Sequence, residues 1–410
     1  MKQLILALCI ATLALASFNI SHAQDSLSAR QLEKWLKRFP EADTNSDGKL
    51  SVAEANAFRE RAQQGRRSTQ GQAQKRPGAP REFPVDPGWK LERFPDHAVC
   101  YKSPAEIKAI YASVSSGKQA SVVSFDKPAD GAMRIVGTGH SFMAPGYQTL
   151  PIICKAAGFT QPLYTHTGGG MTGSARYKWE QENGIFQFDG DPTPKLLASI
   201  ANAQWDAMMW GPYFKDSPRY YSCWIDFCLK YNPEMKFFLS DAWPQLYQLG
   251  TNPESEDFFT PDVFDRLGAE KRSVFVNIIE PLRKRFPNKV FVLPTSDAMV
   301  LAAKYYLRDE LPGIDGVHRV IGKQERSLWR DQLGHLGPGF ERLEGYVFYA
   351  TLYGTSPELI KGDVPFGGDD SFPSRELDRT FRKIAWQAVI GHPLSGVADK
   401  DGDGKHDRAP

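Results

Sequence analysis

The sequence predicts an α/β protein: a mostly parallel sheet with helices on both faces. Three observations carry this. Short apolar runs bounded by turn residues read as buried strands: Ile135-Val136 running into Gly137 and Gly139, Lys236-Phe237-Phe238-Leu239, and Lys289-Val290-Phe291-Val292-Leu293. Helical apolar spacing separates them, at Leu150, Ile153 and Ala157, from Phe264 to Phe286 with basic residues at the end, and from Asp297 to Leu307. Alternating strands and helices imply parallel strands covered on both sides. Globular composition extends over residues 89–393, enough for one large domain with its own core.

Ahead of that domain the 410-residue chain carries other kinds of segment. Residues 1–23 read as a secretory signal peptide, with Lys2, an apolar core from Leu4 to Phe18 and the small-residue pattern Ser21-His22-Ala23 before Gln24. The apolar run is too short for a membrane span, and no later stretch approaches the roughly 20 residues one needs. Cys9 lies inside the apolar core rather than after it, which argues against a lipid anchor. Residues 64–88, rich in Gln, Arg, Gly and Pro, read as a flexible linker. A secreted or periplasmic location is expected.

Between signal and linker, residues 24–63 contain a twelve-residue EF-hand loop from Asp43 to Glu54. Asp43, Asn45, Asp47 and Ser51 offer side-chain oxygens at positions one, three, five and nine, Lys49 its carbonyl at seven, and Glu54 a carboxylate at twelve. Gly48 stands at six and Leu50 at eight. A hard cation with 6–8 oxygen ligands needs this set, so Ca²⁺ is the expected ion. Leu32, Trp35, Leu36 and Phe39 before the loop, and Ala55, Phe58 and Ala62 after it, fit flanking helices. The C-terminal residues 394–410 repeat the theme in shorter form with Asp399, Asp401, Asp403 and Asp407, and read either as a second calcium loop or as a solvated acidic tail.

The most informative segment is Met133 to Gly158. A strand runs into Gly139-His140-Ser141, and an amphipathic helix follows. Ser141 then stands at the carboxyl end of a strand beside a helix N-terminus, where α/β sheets place ligands and where backbone N–H groups can hold a developing oxyanion. The bland reading of Ser141 is a helix N-cap. Serine needs a base to act as a nucleophile near neutral pH, and histidine oriented by a carboxylate supplies one. Far downstream, Asp331 and His335 lie in a glycine- and proline-bearing loop before a further helical pattern at Leu343, Val347, Phe348, Ala350 and Leu352.

With these blocks the chain resembles the SGNH, or GDSL-type, hydrolase superfamily over roughly Met133 to Pro357. The resemblance implies a flavodoxin-like three-layer α/β/α sandwich, Ser141 as nucleophile, His335 as general base and Asp331 as its orienting partner. It also implies oxyanion or substrate-binding glycines: Gly169 and Gly170 in the run His166-Thr167-Gly168-Gly169-Gly170, and Gly211 at the end of the strand-like stretch from Trp205. The sequence departs from the family where His140 precedes the serine, where three residues separate Asp331 from His335 instead of two, and where the third block has no Asn. Asp315 and His318 have the family spacing and form the competing pair. Trp329-Arg330 before His335, and Gly345-Tyr346 with Tyr353-Gly354 after it, favour His335.

Composition narrows the partners. A formal net charge of +2 leaves no electrostatic footprint for nucleic acid. Without Cys9, four cysteines remain, Cys100, Cys154, Cys223 and Cys228, allowing up to two disulfides in an oxidising compartment; Cys223 and Cys228 are spaced to close a small loop, and Cys154 reads equally as a buried thiol. The cluster Trp205, Trp210, Tyr213, Tyr220, Tyr221, Trp224 and Trp243 either stacks on sugar rings or fills the core. Asp241 and Asp297, at expected strand ends, either bind ligand or cap helices. The expectation is a secreted serine ester hydrolase acting on a small-molecule or carbohydrate ester, with no cofactor for the serine chemistry and calcium for structure or attachment. The alternatives are a non-catalytic carbohydrate- or surface-binding protein on this fold and a calcium-dependent interaction protein.

Overall fold

The computed structural model describes residues 123–167, 187–188, 191–192, 196–211, 218–364 and 372–407, together with 32–33, 36, 42–45, 47–55 and 57–58. The expected signal peptide, the linker, Cys100, Tyr213 and the Gly168–Gly170 run lie outside the described residues. The chain divides into two compact units, residues 1–81 and 82–410.

The larger unit is built on a five-stranded parallel sheet. Its strands are β1 (Ile135–Gly139), β2 (Leu163–Thr167), β3 (Ala207–Trp210), β4 (Lys236–Ser240) and β5 (Val290–Leu293), in the order β2-β1-β3-β4-β5. This is the flavodoxin-like order, and the sequence expectation of a mostly parallel sheet between helices holds. The strands are nearly continuous apolar runs because both faces are covered. Ile135, Ala207, Met209, Phe238 and Leu293 face one apolar layer. Val136, Met208, Trp210, Phe237, Leu239, Val290 and Val292 face the other.

Helices α1 (Ala144–Ala156), α5 (Thr295–Tyr306), α7 (Phe340–Tyr353) and α8 (Arg375–Gly391) contribute to the first layer. Helices α2 (Leu196–Asn202) and α3 (Pro218–Tyr231), with the second half of α4 (Pro261–Arg285), fill the other. The short helix α6 (Arg319–Gly322) lies between β6 (Gly316–His318) and β7 (Ser327–Trp329), a small separate parallel pair. Sequence periodicity gave α7 a single apolar stripe, whereas every residue from Phe340 to Leu352 except Glu341 is buried, because α1 and α8 both pack on it. No helix among the described residues is long and apolar enough to cross a membrane.

Two readings that the sequence left open are decided. Cys154, Cys223 and Cys228 are all buried thiols. Cys223 and Cys228 both lie on α3, with Cys223 Sγ directed to Arg219 O at 3.3 Å and Cys228 Sγ to Met208 Sδ at 3.8 Å, so the small-loop bridge does not form. Among the described side chains of the aromatic cluster, Trp205, Trp210, Tyr221, Trp224 and Trp243 are all at most 3 % exposed and offer no sugar-stacking face.

The C-terminal segment is stitched to the sheet. Val292 N–H donates to Leu394 O at 2.9 Å on the β5 edge, Ser356 N–H donates to Gly404 O at 2.7 Å, and His406 N–H donates to Gly354 O at 2.7 Å.

In the smaller unit, Ala42, Leu50 and Ala55 form a core with Leu32, Leu36 and Phe58 packed on it. Leu50 is thus the inward apolar residue expected at loop position eight.

Candidate active site

Exposed Ser141 follows the inner strand β1 and begins the turn that leads into α1. The turn is tight: Gly139 has φ +142°, and a Cβ there would lie 2.9 Å from Met143 Cγ, so a side chain is excluded. Met143 N–H donates to His140 O at 3.1 Å and Phe142 N–H to His140 Nδ1 at 3.3 Å, which closes the turn around the buried His140.

His335 arrives from the other side. After β7 the chain makes a loop whose neck is closed by Arg330 N–H to His335 O at 2.9 Å and Gly337 N–H to Leu328 O at 2.7 Å. Within it, Asp331 Oδ1 accepts from the N–H groups of Leu333 and His335, each at 3.1 Å. The ring nitrogen His335 Nδ1 lies 2.8 Å from Asp331 Oδ2 and 3.1 Å from Oδ1. On the far side of the same ring, His335 Nε2 lies 2.7 Å from Ser141 Oγ. With Nδ1–H donating to the carboxylate, Nε2 is the acceptor for the serine O–H, which assigns the tautomer from geometry. Burial works against the Asp331 carboxylate, but the hydrogen bonds from His335 and the charge of Arg330 outweigh it and hold its pKa below the usual value.

The competing pair is not assembled. His318 Nδ1 accepts from Val320 N–H at 3.3 Å, its own N–H donates to Glu256 at 2.6 Å, and its ring is 3 % exposed. Burial lowers its pKa to about 4, so it stays neutral, and its Nε2 has no partner among the described residues. Three residues between Asp331 and His335 suffice because the intervening turn, with Gly334 N–H on Asp331 O at 2.9 Å, folds the carboxylate back beneath the ring.

Two residues not expected from the sequence to position His335 hold the loop in place. Trp243 Nε1–H donates to Gly334 O and Gln245 Nε2 to Leu333 O at 3.0 Å, both from the segment after β4. Phe142 stacks on Trp243 with centroids 4.7 Å apart and meets the His335 ring edge-on at 5.1 Å. Gly211, at the end of β3, adjoins Met143 and His140: a Cβ there would lie 3.1 Å from Met143 Sδ and 3.9 Å from His140 Nε2. Gly169 and Gly170 lie outside the described residues.

Asp241 and Asp297 have structural surroundings. Asp241, 3 % exposed, accepts from Ser296 N–H at 2.8 Å in the first turn of α5 and from Thr295 Oγ1 at 3.2 Å, while Asp297 pairs with Arg272. Burial, then the charge of Asp297, pushes the Asp241 pKa up to about 8. A carboxyl whose pKa is higher folded than unfolded binds more protons in the native state, so its contribution is lost as pH rises through the folded value. Neutral buried histidines act in the opposite sense at lower pH, and Lys271, lowered to about 8 mainly by burial, does so above. The clean window is therefore pH 6.5 to 8. Thermal melts across it are expected to show wild-type stability falling relative to Asp241→Asn, by at most roughly 1.4 kcal/mol per pH unit; parallel curves would refute the assignment.

In the smaller unit the described residues between Asp43 and Glu54 are joined by hydrogen bonds from backbone N–H groups to side-chain oxygens. Asp43 Oδ2 accepts from Gly48 N–H at 2.9 Å, Asn45 Oδ1 from Asp47 N–H at 3.0 Å, and Asp47 Oδ1 from Lys49 N–H at 2.8 Å. Glu54 reaches back into the loop, accepting from Ser51 Oγ at 2.7 Å and Thr44 Oγ1 at 3.0 Å. The Ser51 hydrogen bonds, followed by those from Thr44 and Asn45, lower its pKa to about 2. In the larger unit, Gly404 N–H donates to Asp399 Oδ2 at 3.1 Å, Asp403 N–H to Asp401 Oδ1 at 3.2 Å and Lys405 N–H to Asp403 Oδ1 at 2.8 Å, the same pattern of backbone donors on carboxylates. Oxygens of Asp399, Asp401 and Asp403 lie within 4.8 Å of one another.

Compared with protein families and with curated proteins, the sequence matches none. Among solved structures, a DUF4886 family protein from Bacteroides uniformis is similar over 67% of this chain and 100% of that one, at 15% identity and a TM-score of 0.42. The periplasmic domain of a lipopolysaccharide acetyltransferase from Salmonella ser. Paratyphi A is similar over 60% of this chain and 97% of that one, at 11% identity and a TM-score of 0.29.

Proposed function

We propose that the chain is a secreted or periplasmic serine ester hydrolase of SGNH type. The observation that carries the reading is the continuous hydrogen-bonded chain Asp331–His335–Ser141 at the carboxyl edge of the parallel sheet. In this reading Ser141 Oγ attacks the ester carbonyl while His335 Nε2 takes its proton, and Asp331 stabilises the imidazolium. The tetrahedral intermediate collapses when His335 returns that proton to the leaving alkoxide, which departs as the alcohol. Water then attacks the acyl-enzyme by the same route, releasing the acid and restoring Ser141. The oxyanion is held by the backbone N–H of Ser141, where the dipole of α1 adds its positive end, and by the N–H of Gly211. Trp205, Trp210, Tyr221, Trp224 and Trp243, which suggested a sugar-bound alcohol, are buried, so the reading commits to an ester and takes no support for a carbohydrate from these five.

The test is labelling of the folded full-length protein with a fluorophosphonate, which traps an activated serine, alongside hydrolysis of a short-chain aryl ester. Wild type and His318→Ala are expected to label, and His335→Ala to lose about 10⁴-fold or more in rate. Absence of labelling in wild type would favour a binding protein on this fold instead.

Calcium is proposed for the loop from Asp43 to Glu54. Asp43, Asn45 and Asp47 would supply side-chain oxygens, Lys49 its carbonyl, Ser51 a hydroxyl or a bound water, and Glu54 its carboxylate. The carboxylate already turned into the loop supports this fit. Calcium titration by calorimetry is expected to show an event that Glu54→Gln weakens at least about tenfold, because one anionic ligand is lost; unchanged heats would reject the site.

A further inference from the structure

Ser141 and His335 arrive on separate elements, and the two elements meet at one interface. Ser141 precedes α1, His335 precedes α7, and α1 packs along α7. The helices approach at backbone distance. A Cβ on Gly146, in the first turn of α1, would lie 2.3 Å from Phe348 Cε2, and one on Gly345 of α7 would lie 2.2 Å from Thr149 Oγ1. Thr149 Oγ1 lies 2.9 Å from Glu341 O of α7 and equally from Pro145 O of its own helix, and its one proton is shared between these acceptors.

That approach brings a carboxyl group to the start of α1. Gly146 N–H, one of the first helix N–H groups that have no partner within the helix, donates to Glu344 Oε2 at 2.7 Å. Glu344 is 3 % exposed, its Oε1 has no partner among the described residues, and the proposed reaction does not use it. Burying a carboxyl beneath a reactive turn is costly, and an apolar side chain would fill the same space without that cost.

We infer that Glu344 is a positioning residue: its carboxyl, bonded to Gly146 N–H, fixes the first turn of α1 against α7 and so sets the approach of Ser141 to His335. Burial drives its pKa well above the usual carboxylate range, which favours the neutral acid. A neutral carbonyl oxygen satisfies the Gly146 N–H without placing a negative charge where the α1 dipole is to meet the oxyanion. Glutamine has the same shape and the same acceptor, and methionine has the length without the acceptor.

The activity readout rests on the hydrolase reading, so the experiment carries a second readout that does not. Fluorophosphonate labelling rates and deuterium uptake in residues 141–147 are measured on full-length wild type, Glu344→Gln, Glu344→Met and Thr149→Val. The expected result is a wild-type rate in Glu344→Gln and a loss of about 10²-fold in Glu344→Met, the scale of a 1 Å misplacement. Faster uptake in 141–147 accompanies the loss. Thr149→Val removes the other hydrogen bond between the helices and is expected to lower the melting temperature while labelling at the wild-type rate. Wild-type labelling in Glu344→Met overturns the inference, as does a Thr149→Val loss equal to it. A tenfold slower Glu344→Gln also overturns it and decides the matter if the methionine variant does not fold. If wild type takes no label, the hydrolase reading falls, and uptake alone then decides: equal uptake in wild type and Glu344→Met sinks the positioning role, and a selective rise sustains it.

Discussion

Ser141→Ala is expected to abolish fluorophosphonate labelling and to reduce ester hydrolysis by about 10⁴-fold or more, down to what substrate binding and the oxyanion donors alone provide. The magnitude follows from the geometry. Ser141 Oγ lies 2.7 Å from His335 Nε2, so its removal leaves a base directed at an empty position rather than a weaker nucleophile. Stability is expected to move little, within about ±0.5 kcal/mol, because Ser141 is exposed on a turn whose closure depends on backbone groups and on His140. Labelling and melting temperature on the same sample separate the two effects. A variant that still labels at the wild-type rate would move the nucleophile elsewhere in the chain.

Much of this site was legible because its parts are local. The strand into Gly139-His140-Ser141 and the apolar spacing of α1 fix the serine turn within a few residues, and Asp331 and His335 lie in one loop. The sheet was legible for the same reason: strands buried on both faces read as apolar runs, and the helices between them carry their own periodicity. Choosing His335 over His318 needed more than spacing. His318 has the expected interval to Asp315, but β6 buries its ring and its Nδ1 turns to the Val320 N–H. The interval from Asp331 to His335 looks one residue too long until the turn at Gly334 folds it back.

What the sequence hid is long-range and backbone-directed. Trp243 and Gln245 support the His335 loop by donating to the carbonyls of Gly334 and Leu333, and a backbone acceptor leaves no mark in the residue types it serves. Trp243 was grouped with aromatic residues that could face a sugar; instead it is 1 % exposed and stacked on Phe142. Glu344 was invisible for a related reason. In a helix read as amphipathic a glutamate belongs to the solvent face, and only the packing of both α1 and α8 on α7 removes that face.

Asp331→Asn is the substitution that separates orientation of the base from folding of its loop. Asparagine keeps a carbonyl oxygen that can accept the N–H groups of Leu333 and His335, so the loop and the melting temperature are expected to persist. The second oxygen becomes an NH₂ donor facing His335 Nδ1, where the carboxylate now accepts at 2.8 Å. The ring answers by placing its proton on Nε2, and Nε2 then has no lone pair for the Ser141 hydroxyl. Activation of the serine fails although every heavy atom stays near its place, and a drop of about 10⁴-fold in labelling and hydrolysis is expected. Asp331→Ala loses the backbone bonds too, so it is expected to show both the rate loss and a lower melting temperature. A labelling rate for Asp331→Asn within tenfold of wild type would mean that the carboxylate merely braces the loop, and that His335 gains its tautomer from another group.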